Sequence, residues 1–214
     1  MIGRSGTGSG CDRVPLILLA FGYLCGSVPF GLILGRLAGV DVRRTGSGNI
    51  GATNVARSVG LRLGIATLVA DALKGTVPIL VADRVGAPPA LSAGVGVAAF
   101  LGHVFPVALH FAGGKGVATA VGVLAVLAPV ALACATAAFV VVVVATRYVS
   151  LGSVVAAVCA PAAVGALGYP RSIVAASLAM SAVIIVRHRD NYARLLAGTE
   201  ARFTVRKRQA VRPG

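Results

Sequence analysis

Residues 117–146 read VATAVGVLAVLAPVALACATAAFVVVVVAT, thirty positions without a charge. One straight helix of that length would reach roughly 45 Å at about 1.5 Å per residue, against a bilayer hydrocarbon core of roughly 30 Å. Pro129 sits near the middle with Ala128 before it, and proline both removes a backbone donor and disfavours helix at the preceding residue. The run therefore splits into two short spans. Outward from it, further apolar runs occupy about 15–37, 61–82, 88–111, 149–167 and 173–186. The sum is an all-α polytopic membrane helix bundle of seven transmembrane helices. Its membrane domain covers residues 15–203, between a Gly/Ser-rich tail (1–14) and a basic tail (204–214).

Composition agrees. Of 214 residues, 57% are hydrophobic and only 12% charged, with a mean hydropathy of +0.90; soluble domains carry about 25% charged residues. That balance argues against a soluble enzyme. Lysine and arginine number 20 against 6 acidic residues, a formal charge of +14. With 5% aromatics and no tryptophan there is little to stack on bases, so the excess points to no nucleic acid partner but to the positive-inside rule.

Seven spans put the termini on opposite sides. With the N-terminus outside and the C-terminus cytoplasmic, the inner side receives Arg36, Arg43, Arg44, Arg57, Arg62, Lys115, Arg147 and the basic stretch from Arg187 to Arg212. Six spans would set the first basic loop and the basic tail on opposite sides. The run that begins at Pro15 is too long for an excised signal sequence and is read as a mature anchor. The cysteines at 11, 25, 134 and 159 show no paired spacing and receive no chemistry.

Three polar, glycine-rich segments then converge on one face: 46–62, 113–119 and 188–200. In the first, Gly46, Gly48 and Gly51 match G-x-G-x-x-G and Asp71 stands twenty residues on. That dinucleotide fingerprint works only between a strand and a helix of a parallel sheet, which two membrane spans cannot supply. What the glycines do offer is backbone amides open to an anion beside Ser47, Asn49, Thr53 and Asn54, with Arg57 at helical spacing from Thr53 for a forked phosphate contact. The second segment sets Lys115 among Gly113, Gly114 and Gly116 just before an apolar span, so a helix N-terminus and a point charge coincide. It is no nucleotide-hydrolysing loop, since Gly116 rather than Ser or Thr follows the lysine. The third segment offers His188 as acid or base, followed by Asn191 and Glu200.

Two further observations bear on the site. Asp71 and Lys74, at i and i+3 within a span, are costly in hydrocarbon unless they pair or line a polar cavity. His103 precedes the lysine loop and is placed to orient it, while His103 and His110 lack companions at ligand spacing, so no metal is expected.

These motifs resemble the bacterial acyl-phosphate-dependent glycerol-3-phosphate acyltransferase family. The resemblance rests on Gly26 to Gly31, Gly46 to Asn54 with Arg57, Asp71 with Lys74 and Gly75, Gly102 to Thr119, Arg147 to Ser150 and His188 to Glu200, in order over about residues 15–203. It implies seven membrane helices and transfer of a fatty acyl group from acyl phosphate to the 1-hydroxyl of glycerol 3-phosphate. The products would be lysophosphatidic acid and phosphate, with no cofactor. It further implies critical roles for Ser47 and Arg57, glycerol 3-phosphate binding by the lysine loop, and essential His188 and Asn191; Ser150 and Glu200 also match family positions. The expected protein is a multi-pass monomer of the bacterial inner membrane in contact with lipid, its site facing the cytoplasm. Either His188 or a substrate phosphate accepts the hydroxyl proton. A small polytopic transporter or channel for a phosphorylated solute would share the broken spans and the charged residues within them, but no inverted repeat is visible.

Overall fold

In the computed structural model, residues 13–203 are described, and all their regular elements are helical. The sequence's two tails fall almost wholly outside that range. Helix α1 (Arg13–Gly26) stops before Pro29 and resumes as α2 (Phe30–Leu37), because proline supplies no backbone donor and Val28 ahead of it is driven from helical geometry. The two count as one apolar stretch of 25 residues. A connector with a 3-10 turn (Val42–Arg44) and the short α3 (Ala52–Ser58) leads into α4 (Leu61–Arg84), and α5 (Pro89–Val104) returns.

The thirty-residue run divides where proline required. Helix α6 (Val117–Leu127) ends at Ala128, whose φ of −152° and ψ of 64° are not helical, and α7 (Pro129–Thr146) begins with proline in its first turn. The halves are unequal: α6 has 11 residues, about 16 Å, and falls short of a bilayer core alone. Helix α8 (Val149–Ala166) and α9 (Arg171–Arg187) follow, and α10 (Arg189–Leu196) leaves α9 at 47°. Among the described residues, five helical stretches are long and apolar enough to cross a membrane, or six if α9 and α10 form one bent span.

Packing follows from small residues. A Cβ on Gly26 would collide with the Ala99 carbonyl, and one on Gly122 with that of Ala72, so α1 lies tight on α5 and α4 on α6. The Thr76 hydroxyl adds a bond to the Gly122 carbonyl at 2.9 Å. Phe100, Val123 and Met180 occupy the shared core, while Val141 and Val144 of α7 are 67% and 76% exposed, as suits a face turned to lipid. Pro161 within α8 cannot bond to Ala157, and the Ser181 hydroxyl of α9 donates to that carbonyl instead. Asp71 and Lys74 pair at 2.8 Å with both side chains buried, and Lys74 Nζ also donates to the Val28 carbonyl at the α1–α2 break, 2.8 Å. The charges thus sit inside protein.

Candidate active site

The first glycine segment is built around one side chain. Asn54, on the first turn of α3, accepts from the Ser47 amide at 2.9 Å, while its NH2 is shared among the carbonyls of Val42 (2.8 Å), Thr45 (3.1 Å) and Asn49 (2.8 Å). With its amide so engaged, Asn54 shapes the loop and has no donor left over. Gly46 has φ +58°, and a Cβ there would strike Asn54 Oδ1, so only glycine fits. The result turns Ser47, Asn49, Thr53 and Arg57 toward a common cavity.

The lysine loop is held by its neighbours. Gly113 and Gly114 donate to the carbonyls of Val104 (3.2 Å) and His103 (3.1 Å) at the end of α5. Gly116 caps α6 with φ +85°, and a Cβ there would run into the Phe100 ring. The amides at the start of α6 and the Lys115 ammonium consequently share one spot. Burial, helped by Arg194, pulls the Lys115 ammonium down to about 8.

Across from it stands the α9–α10 junction. His188 is 2% exposed, and its Nδ1 lies 2.7 Å from the Ile184 carbonyl. A carbonyl only accepts, so Nδ1 carries the proton and the neutral ring keeps its Nε2 lone pair free. Burial foremost, with the Lys115 charge, pushes the imidazole down to about 4, so it is neutral at physiological pH. Lys115 donates to Asn191 Oδ1, and Asn191 Nδ2 donates to Glu200 Oε1 at 2.7 Å. Ammonium only donates and carboxylate only accepts, which settles the orientation of that amide.

Glu200 also accepts from Ser150 Oγ and from Arg194 Nε, each at 2.7 Å. Burial opposes its ionisation, but those donors with Asn191 hold the carboxyl below its usual range. The chain beyond Glu200 crosses the site as a strap. The Ala201 carbonyl accepts from Arg57 Nη2 at 2.8 Å, and the Phe203 amide donates to the Arg147 carbonyl at 2.7 Å.

The three segments meet in one cavity of about 360 Å³. Its polar wall carries Ser47, Asn49, Thr53, Asn54 and Arg57 from the first segment, Lys115 and Gly116 from the second, and His188, Asn191 and Glu200 from the third. Ser150 and Ser153 of α8, Asp71 of α4 and His103 of α5 complete it, His103 Nδ1 standing 3.7 Å from Asp71 Oδ1. Gly46, Gly48, Gly113, Gly114 and Lys74 are not in the wall; the glycines form the loops behind it, and Lys74 braces the α1–α2 break. The sequence offered no pointer to the apolar wall of Leu61, Ile65 and Leu68 on α4, Phe139 and Val143 on α7, and Phe203. For those on α4 and α7 the only signal is spacing along a helical face, lost among many apolar neighbours.

The chain as a whole is similar to known proteins. The sequence profile of the family described as Glycerol-3-phosphate acyltransferase matches residues 16–198. A glycerol-3-phosphate acyltransferase of Geobacter sulfurreducens is 52% identical over 188 residues, covering 88% of this chain and 97% of its own. One of Brucella anthropi is 52% identical over 187 residues, covering 86% and 91%. The crystal structure of PlsY (YgiH), an integral membrane glycerol 3-phosphate acyltransferase, in its glycerol 3-phosphate form superposes with a TM-score of 0.85 at 40% identity, over 89% of this chain and 96% of that one. Its lysophosphatidic acid form gives 0.83. With a profile matched along nearly the whole membrane domain and half of all aligned residues identical, the chain belongs to the glycerol-3-phosphate acyltransferase family.

Proposed function

We propose that this multi-pass membrane acyltransferase transfers a fatty acyl group from acyl phosphate to the 1-hydroxyl of glycerol 3-phosphate, giving lysophosphatidic acid and phosphate. The observation that carries this reading is a single cavity in which a phosphate grip joins an apolar groove. Lys115, Arg57 and the amides at the start of α6 suit phosphate oxygens, while Leu61, Ile65, Leu68, Phe139 and Val143 suit a fatty chain that enters from the lipid side.

An acyl phosphate is a mixed anhydride with a good leaving group, so the protein's main task is positioning. Two anionic reactants repel each other, and the fixed cations and amides offset that repulsion. The 1-hydroxyl oxygen attacks the acyl carbonyl carbon and forms the new ester bond. The bond from that carbon to the phosphate oxygen breaks, phosphate departs with the electron pair, and the hydroxyl proton passes to His188 Nε2. Its burial makes this imidazole a weak base; two bound phosphates favour its charged form and raise its affinity for the proton as the reactants assemble. Ser47 and Thr53 offer hydroxyl donors, and Asn191, locked by Glu200, aims Lys115.

We further infer seven traverses, with the N-terminus outside, the C-terminus cytoplasmic and the cavity on the cytoplasmic side of a bacterial inner membrane. Lys115 precedes α6 and Val149 follows α7, yet both line the cavity, which supports an out-and-back hairpin by that pair despite the shortness of α6. The stretches flanking the α4–α5 and α8–α9 pairs also return to the cavity, where Arg57 and Lys115 meet.

Purified protein in detergent tests the reaction directly. Phosphate release from a long-chain acyl phosphate should require glycerol 3-phosphate and yield lysophosphatidic acid in equal amount. A channel or transporter for a phosphorylated solute would consume no acyl phosphate, and that result would refute the proposal.

A further inference from the structure

The lysine loop has a second support that none of the cavity-lining residues supplies. Arg187, the last residue of α9, donates from Nη2 to the Gly113 carbonyl at 2.8 Å. Its guanidinium also lies over the Phe105 ring, 6.0 Å from the centroid. Phe105 is itself pinned, its carbonyl accepting from the Tyr23 hydroxyl of α1 at 2.7 Å. Between Phe105 and Gly113 the chain passes through His110 and Phe111, two consecutive non-glycine residues at φ 50° and 62°. Such conformations persist only where surrounding structure imposes them. The amides of Gly113 and Gly114 are taken by α5, so the Gly113 carbonyl is where another element grips the loop, and Arg187 occupies it.

We propose that Arg187 is a positioning residue for glycerol 3-phosphate: it sets the lysine loop against the His188 end of α9, so that the ammonium of Lys115 and the imidazole bracket one ligand. This rests on the acyl-transfer reading above. Arg187 is absent from the cavity wall and acts through the loop. Arginine suits the task because its planar fork can serve a carbonyl at one edge and stack on a ring by its face, which lysine cannot do at once.

A double-mutant cycle on the full chain in detergent tests this, with glycerol 3-phosphate affinity read by calorimetry. Arg187→Met should weaken binding about tenfold, the scale of one hydrogen bond from a charged group. The KM for acyl phosphate and the thermal midpoint should stay unchanged, and kcat should change little. On a Lys115→Met background the same substitution should cost less than about twofold, because the group it positions is gone. Arg187→Lys, which keeps a donor but loses the stack, should fall between wild type and Arg187→Met, and Phe105→Leu should shift affinity in the same direction by less. Unchanged affinity in Arg187→Met overturns the inference, as does a full tenfold loss on the Lys115→Met background or a loss that tracks a falling midpoint. Wild-type turnover with an unaltered Arg187→Met sinks this inference alone. Absence of any wild-type response to glycerol 3-phosphate removes the acyl-transfer reading and this inference together.

Discussion

The two glycine loops reach the same cavity by opposite means. The loop of Gly46 to Gly51 is organised from within its own segment, by Asn54, which gathers four backbone groups no more than twelve residues away. The loop of Gly113 to Gly116 is organised from outside, by the carbonyls closing α5, the Phe100 ring and Arg187 seventy-four residues on. A locally closed loop keeps its shape wherever its helix goes. One held by two other helices, α5 and α9, keeps its shape only while they stay packed.

The widest contrast comes from removing the internal organiser. Asn54→Ala strands the Ser47 amide and three carbonyls, at about 1–3 kcal/mol for each buried group left unpaired. Activity should vanish and the thermal midpoint in detergent should fall; a normal midpoint with normal turnover would mean that the first loop does not depend on Asn54.

Chemistry can be separated from both loops through His188. His188→Gln leaves each loop's bonds intact, so turnover should drop by roughly two orders of magnitude while the KM for glycerol 3-phosphate stays near wild type. Steady-state kinetics decide it, and a loss confined to KM would remove His188 as proton acceptor.

Lys115→Met deletes the charge that the second loop presents. An increase of about tenfold or more in KM for glycerol 3-phosphate is expected, with a smaller effect on kcat. If KM does not move, the ammonium is not a phosphate contact.

The smallest effect is a pH dependence peculiar to the second loop. On the proposed reading Lys115 binds an anion as the ammonium, and burial brings its titration down to about 8. As pH rises through that value the ammonium is lost and KM for glycerol 3-phosphate should climb a few-fold; below it KM should be flat on this account. In Lys115→Met the climb should disappear. His188, pushed down to about 4 by burial, should titrate higher when inorganic phosphate is added, as followed by the imidazole resonances.

Much of this was legible in the chain. Pro129 announced a break in a run too long for one traverse, and the helix does break at Ala128. Asp71 and Lys74 announced a protein-lined pair within a span, and they meet at 2.8 Å. Glycine, lysine and histidine segments between apolar runs announced where polar chemistry gathers. Less was visible at Leu61, Phe139 and Val143, because an apolar residue that faces a groove is written in the same letters as one that faces lipid or core. Arg187 read as one more basic flank beside the membrane, and its partner carbonyl on Gly113 has no signature at all.

Hydropathy and its interruptions determined the class and the helices, since a bilayer admits few solutions for a backbone that must satisfy its own hydrogen bonds. Which residues line one cavity was decided by tertiary packing alone. The bonds that aim Lys115, orient Asn191 and tether Arg57 to the strap join segments that lie seventy-six, nine and one hundred and forty-four residues apart. The distant ones exist only after the helices have closed around the cavity.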